Sequence, residues 1–169
     1  MSRLLGIDLG ERRIGLATAE AGREPALALA TIQRGPDVAS DAARLGVIVR
    51  EQRITELVVG LPLEASGAEG AMSVAARAWA EAVAGVLAIP MRMRDERLTS
   101  HLAEGRLGPM PRGRSGGPPS RTQRDRYRAR VDREAAAIIL QDELDARDLA
   151  DRVTDSRPAV PARSSGPIG

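Results

Sequence analysis

Three acidic positions in this chain stand where a carboxylate needs a reason. Asp8 interrupts the apolar run at residues 4–9, one position before its end, and a buried carboxylate without a partner costs several kcal/mol. Asp95-Glu96 follows a short run at 91–94, and Asp132 precedes Ala135-Ala136-Ala137. Taken singly, each has an ordinary explanation. Asp8 can accept from backbone N–H groups near Gly10, Asp95 and Glu96 can pair with Arg97 in a loop, and Asp132 can favour the first turn of a helix. Brought together at one edge, the three carboxylates repel one another unless cations sit among them. Two Mg2+ ions about 3.5–4 Å apart would neutralise them and clamp an in-line phosphoryl displacement. Oxygen ligands without His or Cys favour Mg2+ or Mn2+ over Zn2+, and the single His101 gives zinc little support.

Whether the acids converge depends on the elements that carry them. Residues 4–9 and 14–19 are apolar runs joined by Glu11-Arg12-Arg13, which predicts a β-hairpin, and 26–33 reads as a third strand. Pro36-Asp37 opens a helix with Val38, Ala42, Leu45, Ile48 and Val49 at helical spacing to about Gln52. Residues 56–60 are continuously apolar, as in a strand buried on both faces. A helix over 67–88 carries Met72, Ala75, Ala76, Trp79, Val83 and Val86 along one side, and Pro90 stops it. A short strand at 91–94 leads to a helix capped by Thr99 or Ser100 and running to about Arg106. Residues 108–120 hold four Gly and four Pro, so a mobile loop is expected over about 107–124. The last helix is expected over 127–147, burying Val131, Ala135, Ile138, Ile139 and Leu144. A disordered tail is expected over 148–169, leaving residues 1–147 as one domain.

The order β-β-β-α-β-α-β-α-α predicts an α/β fold. Its mixed five-stranded sheet has an antiparallel meander of three strands plus two parallel strands, flanked by helices. In such sheets reactive groups gather at the carboxyl ends of the parallel strands. Asp8, the residues from Gly60 onward and Asp95-Glu96 therefore share one edge. Gly10 and Gly15 are expected to allow a turn with positive φ and close backbone approach beside that edge. Gly60 and Pro62 are expected to end the central strand sharply, freeing N–H groups for phosphate oxygens.

Composition narrows the partners. The chain has 169 residues, 43% hydrophobic and 28% charged, which suits one domain with an appendage. No apolar run approaches the roughly 18–20 residues that span a bilayer, and the first ten residues do not read as a secretory signal. Cysteine is absent, which excludes disulfides and thiolate chemistry. A cytoplasmic protein with no membrane partner is expected. One Trp, one Tyr and no Phe leave an aliphatic core, and all 25 basic residues are Arg. Residues 106–133 hold nine Arg against Asp125 and Asp132, a balance of +7 that leaves −5 on the rest. A basic block on an acidic domain points to a polyanion, or else to a solvated loop.

Four blocks then become recognisable together. They are Gly6-Ile7-Asp8-Leu9-Gly10 with Arg13-Ile14-Gly15-Leu16-Ala17, and Val58-Val59-Gly60-Leu61-Pro62-Leu63 with Gly67 and Gly70. Asp95-Glu96-Arg97-Leu98-Thr99 follows, then Val131-Asp132 through Ala135-Ala136 to Ile139-Leu140-Gln141. In this order, over about residues 4–146, they resemble the YqgF/RuvX family of Holliday junction resolvases or pre-16S rRNA nucleases, which have a ribonuclease H-like fold related to RuvC. The resemblance implies that Asp8, Glu96 and Asp132 are the catalytic, metal-binding acids, with Asp8 bridging two Mg2+ or Mn2+ ions and the others each holding one. It implies a phosphodiester endonuclease acting on structured RNA, at the 5′ end of pre-16S rRNA in ribosome biogenesis. Branched DNA is the alternative substrate, with junction resolution in recombination and repair as the function. A non-catalytic RNA-binding assembly factor is a third reading.

Arg13, Arg97, Arg121, Arg124, Arg126, Arg128 and Arg130 are the candidates to hold phosphates. Their signature would be salt dependence, since the near absence of aromatics leaves little base stacking. The chain departs from the family pattern at Arg12 (usually Lys), Glu64 (usually Asn-like), Ser100 (usually Thr) and the long 108–120 segment. Glu64 and Asp95 stay open as further acids of the site. The GIDxG block also resembles the first phosphate loop of actin-like ATPases and sugar kinases, but those need two such domains and far more chain. Monomer and homodimer are both compatible with the sequence.

Overall fold

The computed structural model describes residues 2–97, 99–113 and 115–155. Its elements follow the expected order: β1 (Arg3–Leu9), β2 (Arg13–Glu20), β3 (Arg23–Gln33), α1 (Val38–Glu51), β4 (Glu56–Leu61), α2 (Ala71–Leu87), β5 (Met91–Asp95), α3 (Thr99–Leu107) and α4 (Arg121–Asp155). The sheet runs β3-β2-β1-β4-β5. β1, β2 and β3 form the antiparallel meander, and β4 and β5 add to β1 in parallel. This is the ribonuclease H-like sheet.

Both faces of the sheet are covered, which explains the continuous apolar strands. Leu5, Ile7, Ile14, Leu16, Leu57 and Val59 pack against α1 and α2 through Ala42, Leu45, Trp79, Ala80 and Val83. On the other face, Leu4, Ala17 and Val58 meet Ala136, Ile139 and Leu140 of α4. Because side chains alternate along a strand, Asp8 shares the α4 face with Leu4 and Gly6. Among the described residues no helix is long and apolar enough to cross a membrane.

Several boundaries differ from expectation. α2 begins at Ala71, after a turn in which Gly67 has φ of 86°, and Met72, Ala75 and Val86 of its expected buried side are exposed. The strand β4 does not stop at Gly60 but runs through Leu61. Helix α4 starts six residues before Tyr127, inside the segment expected to be a loop. Ser120 and Gln123 form a reciprocal cap there: the Gln123 N–H donates to Ser120 Oγ (3.2 Å) and the Ser120 N–H to Gln123 Oε1 (2.8 Å). That Ser-x-x-Gln spacing was available in the sequence. The segment before it is tied to α4 by Tyr127 Oη donating to the Gly108 carbonyl (2.7 Å) and Gln123 Nε2 donating to that of Arg112 (3.3 Å). At its other end α4 continues to Asp155, eight residues past Arg147. The remainder of the expected tail, residues 156–169, lies outside the described residues.

Neither Gly10 nor Gly15 adopts positive φ. What Gly15 supplies is space: a Cβ there would sit 2.0 Å from the Asp132 carbonyl oxygen, because α4 lies directly on β2. Gly15→Ala is therefore expected to lose up to about 3 kcal/mol in urea unfolding. Gly85→Ala, in the exposed interior of α2 with nothing within 4 Å, should instead gain about 0.5–1 kcal/mol.

Candidate active site

Asp8 lies near the carboxyl end of β1, and Glu96 follows β5 directly, its N–H donating to the Leu61 carbonyl at 3.2 Å. Their carboxyl groups lie close enough to share a proton. Gly60 makes this possible, since a Cβ at that position would lie 2.0 Å from Glu96 Oε2 and 2.8 Å from Ile139 Cδ1. The glycine in β4 is thus a slot for the Glu96 carboxyl rather than a strand terminator. Within that slot Glu96 Oε2 is buried and has no hydrogen-bond partner among the described residues.

The electrostatics follow from this burial. Asp8 is pushed up to about 7, first by burial and then by the charge of Asp132, while the hydrogen bond with Glu96 lowers it. Glu96 is pushed up to about 8 by burial, by the charges of Asp8 and Asp95, and by the same hydrogen bond. Burial thus favours the protonated form of the pair over two bare carboxylates.

Asp132 is close enough to act on Asp8 but is otherwise engaged. Arg13 Nε donates to Asp132 Oδ2 at 2.5 Å, joining the start of β2 to α4. Among the described residues, no three His, Cys, Asp or Glu side chains are gathered so as to hold a metal ion. Asp95 is turned to Arg97, with Arg97 Nε donating to Asp95 Oδ2 at 2.9 Å, and this contact holds the Asp95 carboxyl below its usual range. Glu64 lies against Gly70, the residue before α2. Neither joins the Asp8–Glu96 pair, and Arg97 is committed to Asp95.

The five candidate arginines in the first three turns of α4 do not act as one cluster. At 100° per residue, Arg121, Asp125, Arg128 and Asp132 fall on one stripe, with Arg124 beside it, whereas Arg126 and Arg130 point to the far side. The first stripe borders a polar groove of about 470 Å3 lined by Gly10, Glu11, Arg12, Arg13, Asp125, Arg128 and Asp132. Arg121 pairs with Asp125 at 3.9 Å, and Arg124 Nη1 donates to the Pro119 carbonyl at 2.6 Å. Arg12 and Asp125 are groove residues that the sequence reading did not select. Their type gave no signal, because each lies in an ordinary charged stretch.

The sequence reading also missed Asp41, which is 1% exposed. It accepts from Trp79 Nε1 (3.0 Å) and the Gly35 N–H (2.7 Å) and faces Arg34 Nε at 3.6 Å. This network ties the end of β3 to α1 and α2, and no catalytic group touches it.

A ribonuclease H-like sheet with a buried carboxyl pair at the carboxyl ends of β1 and β5 defines the class. Comparison with known proteins narrows it. The family described as "RuvX: Holliday junction resolvase" matches residues 2–146. A protein of Anaeromyxobacter dehalogenans (strain 2CP-1 / ATCC BAA-258) bearing the name "Putative pre-16S rRNA nuclease" is 42% identical over 145 residues, covering 86% of this chain and 98% of its own. One of the same name from Chloroflexus aggregans is 39% identical, covering 85% and 94%. The RuvC structure of Thermus thermophilus is 18% identical with a TM-score of 0.49, covering 86% of this chain and 96% of that one. The chain belongs to the RuvX family.

Proposed function

We propose that this protein is a cytoplasmic, divalent-cation-dependent endonuclease of structured nucleic acid, processing the 5′ end of pre-16S rRNA during ribosome biogenesis. The observation that carries the reading is the partnerless Glu96 Oε2, buried against Asp8 in a site whose donors are all oxygens. Buried polar atoms are ordinarily satisfied, and two buried acids are destabilising until a cation neutralises them. The residues present fit Mg2+ or Mn2+. Asp8 and Glu96 would hold it, with Asp132 as the third ligand of the full site. Such a cation supplies charge neutralisation and polarisation of the phosphodiester. The chain itself seats the phosphate and orients the scissile bond. Water replaces the 3′ oxygen on phosphorus, leaving a 5′ phosphate and a 3′ hydroxyl. The names borne by the relatives at 38–44% identity support an rRNA substrate, while the family description favours a four-way DNA junction as the second reading.

The test is direct. The protein is incubated with Mg2+ and either a structured RNA carrying the 5′ extension of 16S rRNA or a four-way DNA junction. Cleavage of the RNA is expected, and efficient junction cutting without RNA cleavage reverses the order. Arg12, Arg13 and Arg128 surround the groove, so backbone phosphates should bind there. Arg128→Gln is expected to weaken RNA binding and lower the salt slope by about one phosphate contact. Arg126→Gln, on the far side of α4, should change it less.

A further inference from the structure

Resting on that reading, we propose that Arg13 is an exchangeable cap on Asp132. It withholds this carboxylate from cations in the free protein, and a substrate phosphodiester draws it away. The acidic site would then be completed only when nucleic acid is present.

Three observations converge on this assignment. Asp132 lies with its backbone directly on Gly15, the residue paired with Asp8 across β1 and β2, so it belongs to the same neighbourhood, yet no three acids among the described residues are arranged to share an ion. Among the described residues the Asp132 carboxylate has one side-chain partner, Arg13, whose Nε donates to Oδ2 at 2.5 Å. The contact is also open to exchange. The two side chains are 20% and 21% exposed, and they border the groove shared with Arg12 and Arg128. Arg13 uses only Nε toward Asp132, and its two terminal amino groups have no other partner among the described residues. A guanidinium engages a phosphate through two parallel N–H···O bonds. A phosphodiester entering this groove therefore offers Arg13 a better acceptor than one carboxylate oxygen, and its departure leaves Asp132 with a free charge facing Asp8. The coupling is reciprocal: a phosphate that removes the cap tightens cation binding, and a cation on Asp132 tightens phosphate binding.

A permanent structural salt bridge would have none of these consequences, so two measurements separate the alternatives. Mn2+ alone is titrated calorimetrically into the full-length protein. Arg13→Gln should bind Mn2+ at least about fivefold more tightly than the wild type, or bind one ion more. Arg128→Gln removes the same charge from the same groove and should change Mn2+ binding less than twofold. Arg13→Lys, which restores the charge and one donor, should return toward wild type. In EDTA, where no cleavage occurs, Asp132→Asn should tighten binding of an RNA hairpin more than Asp125→Asn does, and adding Arg13→Gln should erase that gain. Equal Mn2+ titrations for Arg13→Gln, Arg128→Gln and the wild type overturn the cap. If the wild type still binds Mn2+ and Asp8→Asn does not, the nuclease reading survives that result. Absence of Mn2+ binding in wild type and Arg13→Gln alike removes both.

Discussion

Asp8→Asn is expected to lower the cleavage rate on the order of a thousandfold or more while leaving RNA affinity unchanged or higher. The asparagine keeps the size of the side chain but removes the charge that a cation at the Asp8–Glu96 pair needs. Affinity should not fall, because the nearby arginines of the groove are untouched and one negative charge facing the phosphate backbone is gone. Single-turnover cleavage and filter binding on the same hairpin measure the two quantities. A variant that cuts as fast as the wild type removes Asp8 from the chemistry, and with it the cation site. A variant that neither cuts nor binds points instead to a folding defect, which thermal unfolding would register.

The second large effect is on stability. In the unfolded chain both carboxyls lose their protons near pH 4, whereas in the fold Asp8 keeps its proton to about 7 and Glu96 to about 8. Between those limits the folded state binds more protons than the unfolded one, so raising the pH destabilises the fold. Without divalent cations, stability is expected to fall between pH 5 and pH 8 by on the order of 4 kcal/mol. For a chain of this size the melting temperature then drops by roughly 10 °C. Millimolar Mg2+ should restore most of the loss at pH 8 and add little at pH 5, where the protons still occupy the pair. Asp8→Asn combined with Glu96→Gln should flatten the profile and respond weakly to Mg2+. A wild-type melting temperature independent of pH over this range contradicts a buried, cation-seeking pair.

Much of this site was legible before any coordinates. A lone Asp in an apolar strand, an acid pair after a late strand and an acid on the last helix are anomalies of type against context, and strand order places the first two at one sheet edge. The helices and strands emerged for the same reason, since periodicity records which side chains face a core. Boundaries were less legible. The expected start of α4 missed the Ser120–Gln123 cap because the surrounding Gly, Pro and Arg resemble a loop. The expected buried side of α2 included Met72 and Val86, which the helix carries past the sheet into solvent.

What the sequence by itself determined is therefore the order and type of the elements, the mixed sheet they build and the sign of the charge around the candidate acids, all functions of residue type and local spacing, while the choice of Asp8, Glu96 and Asp132 came from the family resemblance. Only the tertiary structure decided that Gly60 opens a slot for Glu96, that Asp95 and Glu64 turn elsewhere and that α4 divides its arginines between two sides. The same holds for Arg13 closing on Asp132 across 119 residues of chain. Those outcomes depend on distances of a few ångströms between segments remote in sequence, and such distances follow from how helices pack on the sheet, for which a linear string carries no coordinate.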